Sequence, residues 1–588
     1  MSKPTDYSAW SNADLIKRVT DLERQLKHHI TPRPPAPKSP GSSAATPKKS
    51  SKPYKPFDPG RYSTRLIALK FAYLGRGYNG YEHHANNVTP LPTIEEELWK
   101  ALRKTRLIFP TDKEGNVLSE GDESVSWEGC EYSKCGRTDR GVSAFGQIVG
   151  IRVRSNRPKM KNGDGASIDM EDAHVVSAND FTKAPQANAS DPSDVATARE
   201  AARSEVVVTD ASGSEPAFDP IRQELPYIQL LNRVLPPEIR ILAWCPNPPS
   251  TFSARFSCKE RRYKYFFTQP AFAPVPGVNG IVRSADGKEI REGWLDIEAM
   301  REAAKKLQGQ HDFRNFCKVD PAKQITNFER RIFYADVEEV DPLTAPVGFV
   351  GHPELRCGLE FPLASNGIHS SSHEVQTPRL YTVTLHGSAF LWHQVRHIVA
   401  ILFLVGQGLE SPSIVEDLLD VSKNPTKPKY EMASDIPLVL WDCVFPAEGS
   451  DTQEDGLAWV YVGDGGGREN STKADADSAY GKYGKGGIID DLWDVWRRRK
   501  MDEILAGSLL DVVARQGRKT SSEPRSTTKT QSARVFDGGD APRSVGPYVP
   551  VLKKQRMESV EVINARYAER KGRDLRDADL GAQIDVEE

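Results

Sequence analysis

The feature that most constrains the fold is a strand, helix and strand pattern that occurs on both sides of a long polar segment. Before that segment, "RLIALKFAYLG" and "FGQIVGIRVRS" have the alternation of strands, and "TIEEELWKALRK" between them has the spacing of an amphipathic helix. After it, "RRYKYFFT", a helix that begins at Asp296, "RRIFYADVEEV" and "LYTVTLHGSAF" repeat that order. The pattern predicts an α+β fold whose two similar halves join into one central sheet with helices on one face.

Capping residues predict where the helices begin and end. Thr93 is suited to cap the first helix, and Glu96 three positions later completes a capping box. Asp296 and Gly309 are predicted to cap the two ends of the second helix. The run "FLWHQVRHIVAILFLVGQG" is apolar nearly all round, so it is predicted to be a largely buried helix.

Composition indicates that the ordered core is smaller than the chain. Only 38% of the 588 residues are hydrophobic and the mean hydropathy is -0.54, which is typical of a folded domain with long polar segments. We expect a helix and a basic Pro/Ser/Lys-rich linker in residues 1–60, then one half of the domain in 61–250 with a flexible insertion at about 155–218. The other half follows in 251–447, and 448–588 is expected to be a partly disordered extension with helices.

Charge, cysteine and hydropathy patterns exclude several classes of protein. The formal net charge of -2 gives no global basic field. The seven cysteines include no C-x-x-C pair and no zinc-module spacing, which indicates reduced structural thiols in an intracellular protein. The most apolar run, 398–405, is far shorter than the roughly 20 residues of a membrane span. Since the N-terminus has no apolar leader either, the sequence predicts a soluble protein.

The stretch "SKCGRTDRGVSAFGQ" is the first candidate for chemistry. It places a single carboxylate, Asp139, between Arg137 and Arg140, with glycines outside them. Nearby guanidinium groups favour the ionised carboxylate, which suits a nucleophile or a base better than a general acid. A solvated turn in which Asp139 pairs with an arginine for order alone remains open, because Asp and Gly are common in turns.

Two further segments carry residues that suit a site. His393 and Arg396 lie three apart on the predicted buried helix, so they should share a face, and a buried guanidinium needs an acid. Asp139 is one candidate partner, and the many other acids are alternatives. Tyr263 stands among arginines and lysines in "ERRYKYFF", a pattern that fits either a stacking surface for an unpaired base or an ordinary core strand.

Three motifs in order resemble the TruA family of tRNA pseudouridine synthases. They are "CGRTDRGVSAFGQ", "FSARFSCKERRYKYFF" and "AFLWHQVRHIVAILFLVGQG", and the resemblance extends from about Arg65 to Pro446. Gly136 before the arginine, together with "LLNRVLPPEIRILAW", "HDFRNFCK" and "NPTKPKYEMASDIPLVLWDC", is similar to the eukaryotic branch that modifies uridines 38 and 39 of the anticodon stem-loop. The bacterial enzymes of the family lack the N-terminal segment, the insertion and the C-terminal region.

The resemblance implies a pseudouridine synthase fold with an active-site cleft and an isomerase that turns uridine into pseudouridine. Asp139 falls on the position of the catalytic aspartate, either attacking the ribose or taking a proton from it. The substrate-binding positions that the family implies are the base-displacing Arg137, Tyr263 against the uracil, Arg396 paired with Asp139, and the pocket-lining His393, Asn315 and Phe390.

The family also implies tRNA as the partner, a homodimer that tRNA spans, and no metal or small-molecule cofactor. No contact with a membrane is expected, and the basic clusters "WRRRK" and "PKKSSKPYK" leave the nucleus and the cytoplasm both open. Two alternatives remain at this point. One is a paralogous synthase with another tRNA or RNA target, and the other is a non-catalytic RNA-binding or chaperone protein of the same fold.

Overall fold

The computed structural model describes residues 58–84, 89–112, 115–118, 124–159, 218–275, 280–340, 379–447, 454–464, 481–484, 486–517 and 532–572. The chain divides into two units, residues 1–58 and 59–588, and the second contains all of these residues except Asp58. The predicted N-terminal helix and basic linker lie outside the described residues, as does nearly all of the predicted insertion.

The strands are β1 (Ser63–Tyr73), β2 (Ser133–Lys134), β3 (Ser143–Ser155), β4 (Ile239–Cys245), β5 (Glu260–Gln269), β6 (Ile281–Arg283), β7 (Glu289–Arg291), β8 (Gly309–Asp312), β9 (Glu329–Glu339), β10 (Arg379–Gly387), β11 (Leu438–Val444), β12 (Val460–Tyr461), β13 (Arg534–Val535) and β14 (Arg543–Ser544). The α-helices are α1 (Ile94–Lys104), α2 (Tyr227–Asn232), α3 (Ile297–Lys305), α4 (Gln394–Gly406), α5 (Ile414–Leu419), α6 (Ile488–Arg515) and α7 (Val560–Lys571). Short 3-10 helices include Gly75–Gly77, Arg314–Phe316 and Val551–Lys553.

One ten-stranded sheet organises these elements. Its order is β12-β4-β1-β3-β11-β5-β10-β9-β8, with β2 added beside β3. Every described pairing in it is antiparallel except β3 with β11, which are parallel. The predicted α+β fold with one central, mostly antiparallel sheet is therefore confirmed.

Two hydrophobic cores lie on either side of the centre of the sheet. The first joins β1, β3 and β4 to α1 and α2, and the second joins β5, β9 and β10 to α3, α4 and α5. Tyr263 on β5 packs against both cores. The repeated strand and helix pattern of the sequence thus becomes two packed halves of one sheet.

Most predicted helix caps are present, with two corrections. Thr93 accepts a hydrogen bond from Glu96 N, and Asp296 caps α3 in the same way through Ala299 N. Gly309 does not end α3, because the helix stops at Lys305 with Lys306 as its C-cap, and Gly309, with a positive φ of 108°, begins β8. Helix α4 starts at Gln394, later than its apolar run suggests, because His393 before it has a left-handed backbone.

Part of the C-terminal extension belongs to the folded domain. Val535, Phe536, Val551 and Val560 are buried in the second core. The 28-residue helix α6 is largely exposed, with only Ile488 and Val495 buried. Among the described residues, no helix combines the length and apolar character that crossing a bilayer would require.

Candidate active site

The loop that carries Asp139 runs directly into β3, and hydrogen bonds to that strand fix its start. Cys135 N donates to Ile148 O at 2.9 Å. The fully buried Gln147 side chain donates from Nε2 to Gly136 O at 2.9 Å. Because backbone and buried amide contacts both come from β3, the base of the loop has a rigid support.

The end of β1 and the segment after it hold the middle of the same loop. Tyr81 N donates to Thr138 O at 3.0 Å, and the Thr138 hydroxyl lies 2.7 Å from the Tyr73 hydroxyl. Burial raises the pKa of Tyr73, so its hydroxyl keeps the proton that it can donate. A turn closes beyond Thr138, where Val142 N donates to Asp139 O at 3.2 Å. The backbone of the loop is therefore fixed on both sides of Asp139.

Two glycines allow the loop to turn and its neighbours to approach closely. Gly141 has a φ of +82°, and a Cβ there would lie 2.6 Å from Asp435 Oδ2. Gly80 has a φ of +89°, and a Cβ there would lie 3.0 Å from Thr138 O. A residue with a side chain would be strained and crowded at either position.

Two side chains from the connection between β10 and α4 contact the Asp139 carboxylate. Trp392 Nε1 donates to Asp139 Oδ1 at 3.3 Å, and His393 Nε2 lies 3.3 Å from Asp139 Oδ2. The Asp139 side chain is still 29% exposed. It is therefore oriented by two contacts and remains accessible to a substrate.

The position of His393 depends on buried groups behind it. His393 is the N-cap of α4 with a left-handed φ of 61°, and His397 Nδ1 lies 3.0 Å from His393 O. Burial strongly lowers the pKa of His397, so its ring is neutral and can donate from Nδ1 while Nε2 accepts from Lys427. This chain of contacts fixes the backbone that turns the His393 ring toward Asp139.

Arg137 and Arg140 extend from the exposed side of the loop. Arg137 Nε lies 3.1 Å from Glu82 Oε1, yet 46% of the Arg137 side chain is exposed. Arg140 is exposed as well. Both positive charges therefore border the approach to Asp139, where an RNA phosphate or base could meet them.

An aromatic pair lies at the junction of the two cores. The rings of Tyr263 and Phe390 meet edge to face with centroids 5.0 Å apart. Burial raises the pKa of Tyr263, so its phenol stays protonated near neutral pH. Phe390 belongs to the same connection as Trp392 and His393, so one short segment reaches both the aromatic pair and Asp139.

Arg396 does not take the position that the sequence predicted. Its Nε donates to Ala433 O at 2.7 Å, and the described residues include no ion pair between Arg396 and Asp139. The expected shared face with His393 is also wrong, because His393 precedes the helix and has a left-handed backbone. The group that meets Asp139 is therefore His393, while Arg396 holds the chain at Ala433.

Asn315 is a structural residue in this conformation, which corrects its predicted place in the pocket lining. It is fully buried, and its amide donates to Leu418 O at 2.9 Å and to Asn424 O at 2.8 Å. Its own carbonyl accepts from the Tyr430 hydroxyl at 2.7 Å. These contacts join the 3-10 helix Arg314–Phe316 to α5 and to the segment after it, and they leave no exposed atom for a substrate.

Comparison with known proteins identifies the family. A family model described as tRNA pseudouridine synthase matches residues 303–446. The tRNA pseudouridine(38/39) synthase of Saccharomyces cerevisiae is 32% identical over 574 residues, which are 97% of this chain and 93% of the relative. The chain belongs to the tRNA pseudouridine synthase family. The tRNA pseudouridine(38/39) synthase of Homo sapiens is 36% identical over 400 residues, which are 68% of this chain and 58% of the relative. A bacterial member, tRNA pseudouridine synthase A of Janthinobacterium, is 30% identical over 204 residues, 33% of this chain and 56% of the relative.

The family match and the geometry cover different parts of the site. The matched region of the tRNA pseudouridine synthase model contains Phe390, Trp392 and His393 but neither Asp139 nor Tyr263. The structure joins the two parts, because the connection before α4 contacts Asp139 on β3's loop and Tyr263 on β5. Roles for individual side chains in this family member therefore rest on these contacts.

The prediction from sequence missed Trp392. It is 40% exposed, and besides its contact with Asp139 its ring lies 4.3 Å from Lys318 Nζ. The residue stands within the third quoted motif, so the motif indicated the segment. An exposed tryptophan beside an acid needs the folded chain to be recognised, since 253 positions separate the two.

Proposed function

We propose that this protein isomerises uridine to pseudouridine at positions 38 and 39 of tRNA, with Asp139 as the catalytic carboxylate. The observation that carries the proposal is the partly exposed Asp139 side chain, held by Trp392 and His393 on a loop fixed to β3. The names of the Saccharomyces cerevisiae and Homo sapiens relatives support the two positions.

The reaction is an internal transfer that needs no oxidant. The bond between ribose C1′ and uracil N1 breaks, the base turns, and C1′ bonds to C5. The proton on C5 is lost and N1 gains one, so atoms and charge balance. A carboxylate beside the ribose is the group that such a transfer requires, and Asp139 supplies it at the exposed end of its loop.

The other side chains would handle the base. A uridine inside a stem must leave the stack, which costs a few kcal/mol, and an inserted side chain offsets that cost. Arg137 is exposed beside Asp139 and suits this role. The Tyr263 and Phe390 rings offer an apolar surface against which a displaced uracil could lie.

Positive side chains near Asp139 would position the RNA before the base is displaced. Arg140 and Lys318 are exposed, and Lys318 stacks over Trp392, next to the carboxylate. Phosphate contacts by such groups provide most of the affinity of many RNA-binding proteins and weaken as salt rises. tRNA binding should therefore depend on salt and survive the loss of Asp139.

Tritium release tests the proposed reaction directly. Purified protein is incubated with unmodified tRNA labelled with tritium at C5 of every uridine, and tritium in the water is counted. We expect release from tRNA with uridines 38 and 39 and none from a matched tRNA with cytidines there. Release from both tRNAs would indicate a synthase with another target, and binding without release would indicate a non-catalytic RNA-binding protein.

We also propose that the protein acts as a homodimer that tRNA spans. The resemblance to the TruA motifs supports this, because it implies a shared tRNA surface between two copies. Mass photometry of the purified chain tests it. A mass near twice 65.3 kDa is expected, and a monomer that is fully active on tRNA would contradict the proposal.

A further inference from the structure

Three cysteines that are far apart in the sequence form one buried cluster beneath the loop of Asp139. The sulfur atoms of Cys135, Cys258 and Cys443 all lie within 4.8 Å of one another. Their residues are 3%, 6% and 0% exposed. All three thiols are free of disulfide bonds. No spacing in the sequence indicates this group, because no two of its members form a C-x-x-C pair.

The cluster lies where the two halves of the sheet are joined. Cys135 precedes β3, Cys258 precedes β5, and Cys443 is on β11 between those strands. The parallel contact of β3 with β11 contains only two residue pairs, whereas β1 and β3 align along most of their length. A link among the three cysteines would therefore reinforce the short pairing of β3 with β11.

The surroundings of the cluster suit a negative charge. Arg261 lies next to the sulfurs and interacts electrostatically with all three cysteines. Its guanidinium donates hydrogen bonds to Ser388 O at 2.8 Å and to Cys135 O at 3.0 Å. The cluster therefore has one cation beside it that can offset negative charge on the sulfurs.

We propose that Cys135, Cys258 and Cys443 bind one thiophilic metal ion, Zn²⁺ or Cu⁺, as a structural site. Thiolate sulfur selects these two ions over hard cations such as Mg²⁺. A zinc ion with three thiolates carries a net charge of -1 and a copper(I) ion a charge of -2. Arg261 offsets one negative charge in either case. Binding releases the protons of the thiols to solvent, and no sulfur is oxidised.

The distances require only a small contraction. Sulfurs around one zinc ion at a bond length of about 2.3 Å lie roughly 4 Å apart. The present separations are at most 4.8 Å, so changes of less than an ångström in side-chain position would complete the site. Among the described residues no fourth histidine, cysteine or carboxylate joins the group. A three-sulfur shell is therefore the expected signature.

Metal binding would stabilise the fold and, through Cys135, the loop of Asp139. Asp139 is only four positions after Cys135, and the Cys135 carbonyl already accepts a hydrogen bond from Arg261. Since the ion binds the folded chain and not a site in the unfolded one, it should raise the melting temperature. This effect does not depend on tRNA, so it can be measured whether or not the proposed reaction occurs.

Metal titration of the full chain tests the proposal. Protein is treated with chelator and reductant, desalted, and titrated without oxygen with Zn²⁺ in one arm and Cu⁺ in the other. We expect one ion per chain after desalting in at least one arm, and a rise in melting temperature of about 3 °C or more. Cys258→Ala should weaken binding by at least about 100-fold. The matched variant Cys245→Ala removes another buried thiol and should bind like the wild type.

X-ray absorption of the loaded wild type keeps the test decisive if Cys258→Ala does not fold. Three sulfur neighbours at about 2.3 Å are expected around zinc. A shell of nitrogen and oxygen, equal binding by Cys258→Ala, or no bound ion in either arm would overturn the proposal. A disulfide between two of the three cysteines in protein purified without reductant would also overturn it, because the cluster would then form a disulfide instead of binding a metal ion.

Discussion

The exposed and buried sides of the loop from Cys135 to Val142 have different chemistry. Arg137, Asp139 and Arg140 face outward or remain accessible, whereas Cys135 and Thr138 are buried and bonded to their surroundings. One side offers charges to a substrate, and the other fixes the backbone that presents them. Changes on the exposed side should therefore reduce activity without loss of stability, and changes on the buried side should reduce both.

Asp139→Asn has the largest expected effect on activity. The substitution keeps the size of the side chain and removes its charge, so pseudouridine formation should fall by at least about 10³-fold. Melting temperature and tRNA affinity should stay close to those of the wild type. Asp286→Asn, a change of the same kind at an exposed turn, is the control and should leave the rate unchanged. A large fall in melting temperature for Asp139→Asn would contradict the expectation that changes on the exposed side of the loop leave stability unchanged.

Gly141→Ala should reduce both activity and stability. The positive φ and the contact with Asp435 Oδ2 lead us to expect a loss of about 1–3 kcal/mol in the free energy of unfolding. The displaced loop should lower the rate about 10- to 100-fold. Gly287→Ala has a similar φ of +81° with no neighbour within 4 Å, so it isolates the cost of the backbone alone. Equal losses in the two variants, measured by chemical denaturation, would show that the contact with Asp435 does not matter.

Trp392→Phe tests whether the hydrogen bond from Trp392 to the Asp139 carboxylate contributes to the reaction rate. Phenylalanine keeps an aromatic ring and removes the hydrogen bond to Asp139. Hydrogen bonds to charged groups contribute roughly 1.5–3 kcal/mol, and partial exposure reduces this, so we expect about a 10-fold fall in the rate. Trp441→Phe, at a tryptophan of similar exposure, should leave the single-turnover rate as it is. An unchanged rate for Trp392→Phe would remove Trp392 from the site.

Lys427 gives the smallest effect, on how stability depends on pH. Burial lowers the pKa of Lys427 to about 8, below its ordinary value of 10.5. Between those values the unfolded chain binds more protons than the folded one, so the free energy of unfolding rises with pH. The wild type should gain on the order of 1 kcal/mol per pH unit from pH 8 to 10 relative to Lys427→Met.

The exposed Lys429→Met is the control for this comparison and should keep the wild-type slope. The measurement is urea denaturation at several pH values for all three proteins. Parallel curves for wild type and Lys427→Met would show that Lys427 is not a desolvated cation behind α4.

The parts of the fold set by local pattern were predictable. The Thr93 cap followed from three residues of sequence, and the alternation of β3 placed Val149, Ile151 and Val153 inward as expected. Asp139 could be singled out for the same reason, because its glycines and arginines are adjacent in the chain. Local signals suffice where the deciding contacts are themselves local.

The remaining features depend on contacts between distant residues or on one unusual backbone angle. The left-handed His393 shifts the start of α4 and separates His393 from the face of Arg396. Trp392 meets Asp139 only in the folded chain, and the cysteine cluster joins three segments of the sheet. No hydrophobic periodicity or residue spacing in the sequence encodes such contacts between distant residues.

Mapping pseudouridine along a single unmodified tRNA is the most direct measurement of the central claim. The tRNA is incubated with purified wild-type protein, and every uridine is then assayed by mass spectrometry of nuclease fragments. Conversion of uridines 38 and 39, with the other uridines unchanged, is the predicted result. Unchanged uridines at 38 and 39, in protein that is folded and binds the tRNA, would contradict it.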